Sequence, residues 1–168
     1  MDEKILNQLS IEIGKKLQRK KLSLTCAESC TGGWIAKVIT DIAGSSAYFN
    51  RGFVTYGNDS KNEMLGVSQA SLMQFGAVSE QVVKEMAVGA LKAARADFAV
   101  SVSGIAGPGG GSEEKTDGER VCFGFAYRNR EDVHTVTYRQ HFTGERNAVR
   151  LQAVIFSLKT LLEEIIKN

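Results

Sequence analysis

Ser29, Lys61 and Tyr56 are the residues of this chain whose types and surroundings suit nucleophilic chemistry. Ser29 stands in Thr25-Cys26-Ala27-Glu28-Ser29-Cys30-Thr31-Gly32-Gly33. The run before it, Leu22-Ser23-Leu24-Thr25, reads as a strand, and Trp34 to Ile39 reads as the first turns of a helix. Small residues between them let the backbone turn sharply. The N–H groups that open a helix favour anions and developing oxyanions. A serine seated there is placed like the nucleophile of a strand–turn–helix elbow, without the G-x-S-x-G spelling. The same position also suits a plain helix cap. Cys30 is an alternative nucleophile, since a helix N-terminus lowers a thiol pKa; a buried cysteine acting as a small hydrophobe is the competing reading.

A serine needs a base. Lys61 follows Asn58-Asp59-Ser60, three residues of capping type, and so falls in the first turn of a helix. A cation there meets the positive end of the helix dipole, and burial would add desolvation. Both favour the neutral amine, which a general base requires. Ser–Lys pairs replace Ser-His-Asp in some hydrolases. The only histidines are His134 and His141, neither near a turn signal. An ordinary surface lysine would give the same local pattern as Lys61. Tyr56, five positions earlier, closes a strand-like run and could orient a substrate or simply pack.

Two further stretches carry binding chemistry. Ser103-Gly104-Ile105-Ala106-Gly107-Pro108 is a second Gly-rich turn at a strand end, able to offer N–H groups to a carbonyl or phosphate. No Gly-Lys-Ser/Thr follows, so it is not a Walker A loop. Arg146 and Arg150 share one helix face near its N-terminus and could clamp a phosphate or carboxylate. The alternative is solvent-exposed charge.

The elements that must position these groups follow from periodicity and punctuation. Helical spacing of Leu6, Leu9, Ile13 and Leu17 predicts a helix over Asp2 to Lys20. A helix to about Asp41 follows the Ser29 turn. Tyr48 to Tyr56 reads as a strand, and a short helix carrying Lys61 ends at Gly66. Ser68 to Phe75 is a further short helix. Ser79 caps a helix to about Arg95, striped by Val83, Met86, Ala87, Ala90 and Leu91. Phe98 to Val102 is short and apolar, as a strand covered on both faces is. Lys115 to Arg120 reads as a polar loop. Val121 to Tyr127 and Val133 to His141 read as a hairpin turning through Asn129–Asp132. After Gly144 one long helix is striped by Leu151, Val154, Ile155, Leu158, Leu161, Leu162 and Ile165. Early alternation and a late hairpin predict a single α/β domain over 1–168, three layers α/β/α around a mixed, mostly parallel sheet. Ligands of such sheets bind at the carboxyl ends of strands, so the turns after Ala27 and Val102 are expected to share a pocket.

Composition bounds the rest. The chain has 168 residues, 21 Lys and Arg against 19 Asp and Glu, and a net charge of +2. That balance gives no general argument for nucleic acid or an anionic membrane. A charged N-terminus without an apolar leader, and no run of about 20 apolar residues, point to a cytoplasmic protein. Cys26, Cys30 and Cys122 form no C-x-x-C pair, so neither a disulfide framework nor a zinc site is indicated.

With these residues laid out, the chain resembles the CinA C-terminal domain family, whose stand-alone members include bacterial nicotinamide mononucleotide amidases. The matching stretches are Ala27–Gly33, Gly44-Ser45-Ser46-Ala47-Tyr48-Phe49, Val54-Thr55-Tyr56-Gly57-Asn58 with Lys61, and Leu65-Gly66-Val67. Gly76-Ala77-Val78-Ser79-Glu80 with Met86, Ser103–Pro108, and Phe142-Thr143-Gly144-Glu145-Arg146 with Arg150 complete the series. The resemblance implies a Ser/Lys amidohydrolase that converts nicotinamide mononucleotide to nicotinic acid mononucleotide and ammonia, without metal or cofactor. Ser29 falls on its nucleophile and Lys61 on its general base. Tyr56 and Arg146 fall on positions implicated in catalysis or phosphate binding. Cys30, Thr31, Gly32, Ser103, Gly104, Ile105 and Arg150 are expected to face the substrate. A homodimer is expected, as is the absence of nucleic-acid and membrane partners. One departure stands out: where the family usually reads Lys-Pro-Val-Gly-Thr-Val, this chain has Lys115-Thr116-Asp117-Gly118-Glu119-Arg120-Val121. The change bears on loop conformation and substrate fit, and a catalytically weak nucleotide-binding relative is the alternative it supports.

Overall fold

The structure, a computed structural model, describes residues 2–107 and 118–168. In chain order the elements are α1 (Asp2–Lys20), β1 (Leu24–Glu28), α2 (Trp34–Thr40), β2 (Phe53–Val54), α3 (Asn58–Leu65), α4 (Gln69–Phe75) and α5 (Glu80–Ala94). They are followed by β3 (Phe98–Gly104), β4 (Glu119–Asn129), β5 (Asp132–Phe142) and α6 (Arg146–Lys167). Among the described residues the strands form one five-stranded sheet in the order β2-β1-β3-β4-β5. β1 pairs parallel with β2 and β3, while β4 is antiparallel to both β3 and β5. β4 alone therefore runs against the other strands, giving the expected mixed, mostly parallel sheet.

The two faces of the sheet hold side chains of different size. Val100, Val102, Phe123 and Phe125 turn to one face and pack against Leu6, Ile13 and Leu17 of α1, Ile35, Val38 and Ile39 of α2, and Val154, Leu158 and Leu161 of α6. The opposite face carries Ala27, Ala99, Cys122 and Ala126, which meet Val83, Met86, Ala87, Ala90 and Leu91 of α5. Small residues there let α5 lie close to the strands, and Ser101 Oγ donates to the Val83 carbonyl at 2.6 Å. α3 is pressed onto α5 in turn. A Cβ at Gly89 would lie 1.9 Å from the Leu65 carbonyl oxygen, so only glycine permits that approach.

The helices follow the stripes and caps read from sequence. Ser68 and Ser79 accept from the backbone N–H groups of Ser71 and Val82, capping α4 and α5. Three expectations need correction. The strand expected over Tyr48 to Tyr56 shrinks to Phe53–Val54, with a single bridge between Phe49 and Leu24. Tyr48 is buried and Phe49 packs on the core, so the apolar residues of that run fill space instead of pairing. Asn58, Asp59 and Ser60 do not cap α3; Gly57 takes the cap position and they form the first turn. Of the polar loop expected over Lys115 to Arg120, residues 115–117 lie outside the described residues, as do Pro108 to Gly111 of the Gly-rich turn. Glu119 and Arg120 open β4, paired with Phe142 and His141.

Candidate active site

β1, β2, β3 and β5 point the same way, so the segments leaving their carboxyl ends gather at one edge of the sheet. Ser29 follows β1, Tyr56 and α3 follow β2, Ile105 to Gly107 follow β3, and α6 follows β5. This is where open α/β sheets bind ligands.

Lys61 is fully buried, and its Nζ donates to Ser29 Oγ at 3.0 Å, to the Thr55 carbonyl at 2.8 Å and to the Tyr56 carbonyl at 3.0 Å. The bonding capacity of the amine decides what this can do. A neutral amine has two hydrogens and one lone pair. The two carbonyls can only accept, so they take the hydrogens, and the lone pair is left for the Ser29 hydroxyl. Burial lowers the Lys61 pKa from the ordinary lysine value, which favours that neutral form. Ser29 is itself buried, with its N–H donating to the Val102 carbonyl at 3.0 Å. Gly32 and Gly33, at φ 60° and 104°, let the chain reverse beyond it.

Cys30 is adjacent in sequence but chemically unlike Ser29. It is buried, and that burial pushes its thiol up to about 11, far from a thiolate at neutral pH. Tyr56 is exposed, and its hydroxyl accepts from Arg146 Nη2 at 3.0 Å. Arg146 Nη1 donates to the Gly107 carbonyl at 2.8 Å. One exposed guanidinium thus links the segments after β2 and β3 at the start of α6. Arg146 also lines a cavity of about 610 Å³ with Gly107, Glu119, Gly144, Glu145 and Asn147, a volume in the range that small-molecule sites occupy. A larger concavity of about 700 Å³ lies around Trp34 between α1 and α2. It contains neither Ser29 nor Lys61, so its size does not make it the reaction site. Ser103 is buried at the end of β3, and the Ile105 N–H is spent on the Arg120 carbonyl at 3.0 Å. Among the described residues of the two Gly-rich turns, it is the one after β1 that brings a side chain, Ser29, against Lys61.

The CinA C-terminal domain family model matches residues 6–165. The chain belongs to that family. It is 64% identical over 168 residues to the nicotinamide-nucleotide amidohydrolase PncC of Enterobacter agglomerans, covering 100% of both chains. It is 57% identical to the protein of the same name in Escherichia coli K12, covering 100% of this chain and 99% of that one. Among solved structures it is similar to the competence or damage-inducible protein of Enterobacter asburiae, with a TM-score of 0.88 and 36% identity, covering 95% of this chain and 98% of that one.

In this CinA C-terminal domain two side chains brace the Ser29 turn. Glu28, fully buried at the end of β1, accepts from Thr31 Oγ1 at 2.6 Å and from the N–H groups of Ile35 and Ala36 at 2.8 and 3.0 Å. Its carboxylate ties strand, turn and the first turn of α2 together, and favours the positive end of that helix. Sequence reasoning passed over Glu28; an acid at a strand end just ahead of a helix start was the signal available. Arg150, expected at the substrate, directs Nε to the Cys30 carbonyl at 3.0 Å and Nη2 to the Thr31 carbonyl at 3.3 Å. The structure brings Ser29, Lys61 and the Tyr56 backbone together, places the Tyr56 ring with Arg146, and turns Arg150 onto the backbone.

Proposed function

We propose that this protein hydrolyses the carboxamide of nicotinamide mononucleotide to nicotinic acid mononucleotide and ammonia by a Ser29–Lys61 mechanism. The observation that carries the mechanism is the 3.0 Å contact between Lys61 Nζ and Ser29 Oγ, with two carbonyls occupying the other bonding directions of the amine. The names of the closely similar relatives support the substrate.

Neutral Lys61 takes the Ser29 proton as Oγ bonds to the carboxamide carbon. The N–H of Ser29 is spent on the Val102 carbonyl, so the oxyanion would be held by other N–H groups that face the bound substrate. As the tetrahedral species collapses, the carbon–nitrogen bond breaks and protonated Lys61 gives its proton to the leaving nitrogen, releasing ammonia. The same amine then deprotonates water, which attacks the ester and returns Ser29 with a carboxylate product. Arg146, at the N-terminus of α6, and the Tyr56 hydroxyl would meet the nucleotide phosphate.

The test is ammonia release from nicotinamide mononucleotide by the purified chain and by Ser29→Ala. Turnover in the first and a loss of about a thousandfold or more in the second, with the melting transition kept, is the expected result. A folded wild type that binds the nucleotide without turnover would replace this reading with a binding role. The expected homodimer is read by sedimentation as twice the 18.3 kDa chain mass, and a monomer would remove it.

A further inference from the structure

We infer that Glu119 is a specificity-determining residue of this site, its carboxylate accepting hydrogen bonds from the ribose hydroxyls of the nucleotide. The inference rests on the amidase reading above and assigns a partner to the sugar.

β4 runs against the other strands, so its first residue, and not its last, stands at the edge where Ser29, Lys61 and Arg146 gather. Glu119 is that residue, and it lies in the stretch that departs from the usual family run. Alternate residues of a strand share a face. Glu119 therefore lies on the α6 side of the sheet with Phe123 and Phe125, just past the end of the core. It pairs with Phe142 of β5. Gly118 before it has φ 87°, and a Cβ there would lie 2.5 Å from the Phe142 carbonyl oxygen, so the chain enters β4 along a fixed path. A Cβ on Gly107 would lie 2.8 Å from Glu119 Oε1. The carboxylate thus rests against Gly107, the residue whose carbonyl accepts from Arg146.

Glu119, Gly107 and Arg146 all line the cavity of about 610 Å³ at the start of α6. Tyr56 joins this cavity to the reacting pair: its carbonyl is 3.0 Å from Lys61 Nζ and its hydroxyl 3.0 Å from Arg146 Nη2. Among the described residues, the charged side chains of the lining are Glu119, Glu145 and Arg146, two negative charges against one positive. Such a wall repels a ligand that is only an anion. It suits a ligand with an anionic end for Arg146 and donors for a carboxylate. A mononucleotide has both. One exocyclic carbon joins its phosphate to the ribose ring, so a phosphate on Arg146 keeps the sugar hydroxyls close to the same cavity. An acidic side chain receives the ribose hydroxyl in dinucleotide-binding sheets too. A carboxylate has about four lone-pair sites, so it can hold a protein neighbour and a hydroxyl together. Glu119 is 9% exposed, and at a cavity wall largely shielded from water a hydrogen bond discriminates more sharply than in solvent.

Nicotinamide mononucleotide and its 2′,3′-dideoxy-2′,3′-difluoro analogue are compared as substrates of wild type, Glu119→Gln and Glu119→Ala. The analogue keeps phosphate, pyridinium charge and amide, but fluorine cannot donate. Loss of a hydrogen bond to a charged group should raise KM for the nucleotide about 10- to 100-fold in Glu119→Ala, with kcat within about twofold. Glu119→Gln, which keeps an acceptor, should lose less. Wild type should lose a similar factor on the analogue, and Glu119→Ala at most about twofold more, because one interaction is then removed only once. An equal loss on both substrates would overturn the inference and leave Glu119 a structural or charge-balancing residue. Wild-type KM in both variants would overturn it outright. If the alanine variant does not melt cooperatively, the glutamine variant decides between the same outcomes. A wild type that binds the nucleotide without releasing ammonia would refute the amidase reading, and the same comparison of dissociation constants by calorimetry would still decide the role of Glu119. A wild type that neither binds nor hydrolyses it would overturn both.

Discussion

Replacing Lys61 by methionine keeps an unbranched apolar stem as far as the ε-carbon and removes the amine. With no base 3.0 Å from Ser29 Oγ, kcat/KM should fall by at least the contribution of general-base catalysis, about 10²- to 10⁴-fold. The stability consequence depends on pH, and its sign follows from the direction of the shift. Burial lowers the Lys61 pKa in the folded protein. Between that value and the unfolded value of about 10.4 the unfolded chain binds more protons, so wild-type stability rises with pH across this window. Each unit of depression contributes about 1.4 kcal/mol. The methionine variant lacks this dependence but leaves the Thr55 and Tyr56 carbonyls without their donor, at about 1–3 kcal/mol for a buried group. The deficit of the variant should therefore be largest at high pH, where the wild-type amine is neutral and bonded. It should shrink as pH falls from about 10.4 to the folded Lys61 pKa and level off below it, where the wild type must bury an ammonium. Urea unfolding of both proteins across pH, alongside a wild-type kcat/KM profile, measures the same ionisation twice. The rate should climb with pH up to the folded Lys61 pKa and level off where stability begins to climb. A methionine variant within about tenfold of wild-type turnover, or a deficit that does not change with pH, would refute the reasoning.

Cys30→Ala should retain turnover, and the wild-type thiol, held at about 11, should resist iodoacetamide at neutral pH in the native state; rapid alkylation that stops turnover would return the cysteine mechanism to consideration. Glu28→Gln should lower stability by about 2–3 kcal/mol in urea, because an amide cannot accept from Thr31, Ile35 and Ala36 as the carboxylate does; an unchanged midpoint would show that the bonds to Glu28 contribute nothing. Gly89→Ala should cost about 1–3 kcal/mol, since its methyl meets the Leu65 backbone and not a flexible side chain. Calorimetry checks it, and a wild-type melting temperature would show that α3 can back away freely.

Regularly striped segments were the most readable in sequence. α1, α5 and α6 announce themselves by one apolar stripe each, and Ser68 and Ser79 mark their helix starts by capping chemistry. The run around Tyr48 misled because apolar residues there pack on the core with only a single bridge to β1, and a composition signal cannot separate packing from pairing. Ser29 and Lys61 were legible as types at suggestive places. Their 3.0 Å contact was not, since it depends on strand order bringing residues 29 and 61 to one edge. Glu28 and Arg150 act on backbone groups, and nothing in the type of Cys30 or Thr31 advertises a carbonyl that needs holding.

The anchors of Lys61 at Thr55 and Tyr56 are main-chain oxygens. Every amino acid supplies the same oxygen, so substitution at either position leaves the Lys61 amine its two acceptors as long as the chain keeps its path. The genetic alphabet at 55 and 56 is thus free to be read for other purposes, such as the outward face of Tyr56 toward Arg146. Drift at 55 and 56 can disturb the amine only through backbone course, by insertion, deletion or a displaced α3, so the surface these residues present can be retuned while the contacts of Lys61 stay fixed.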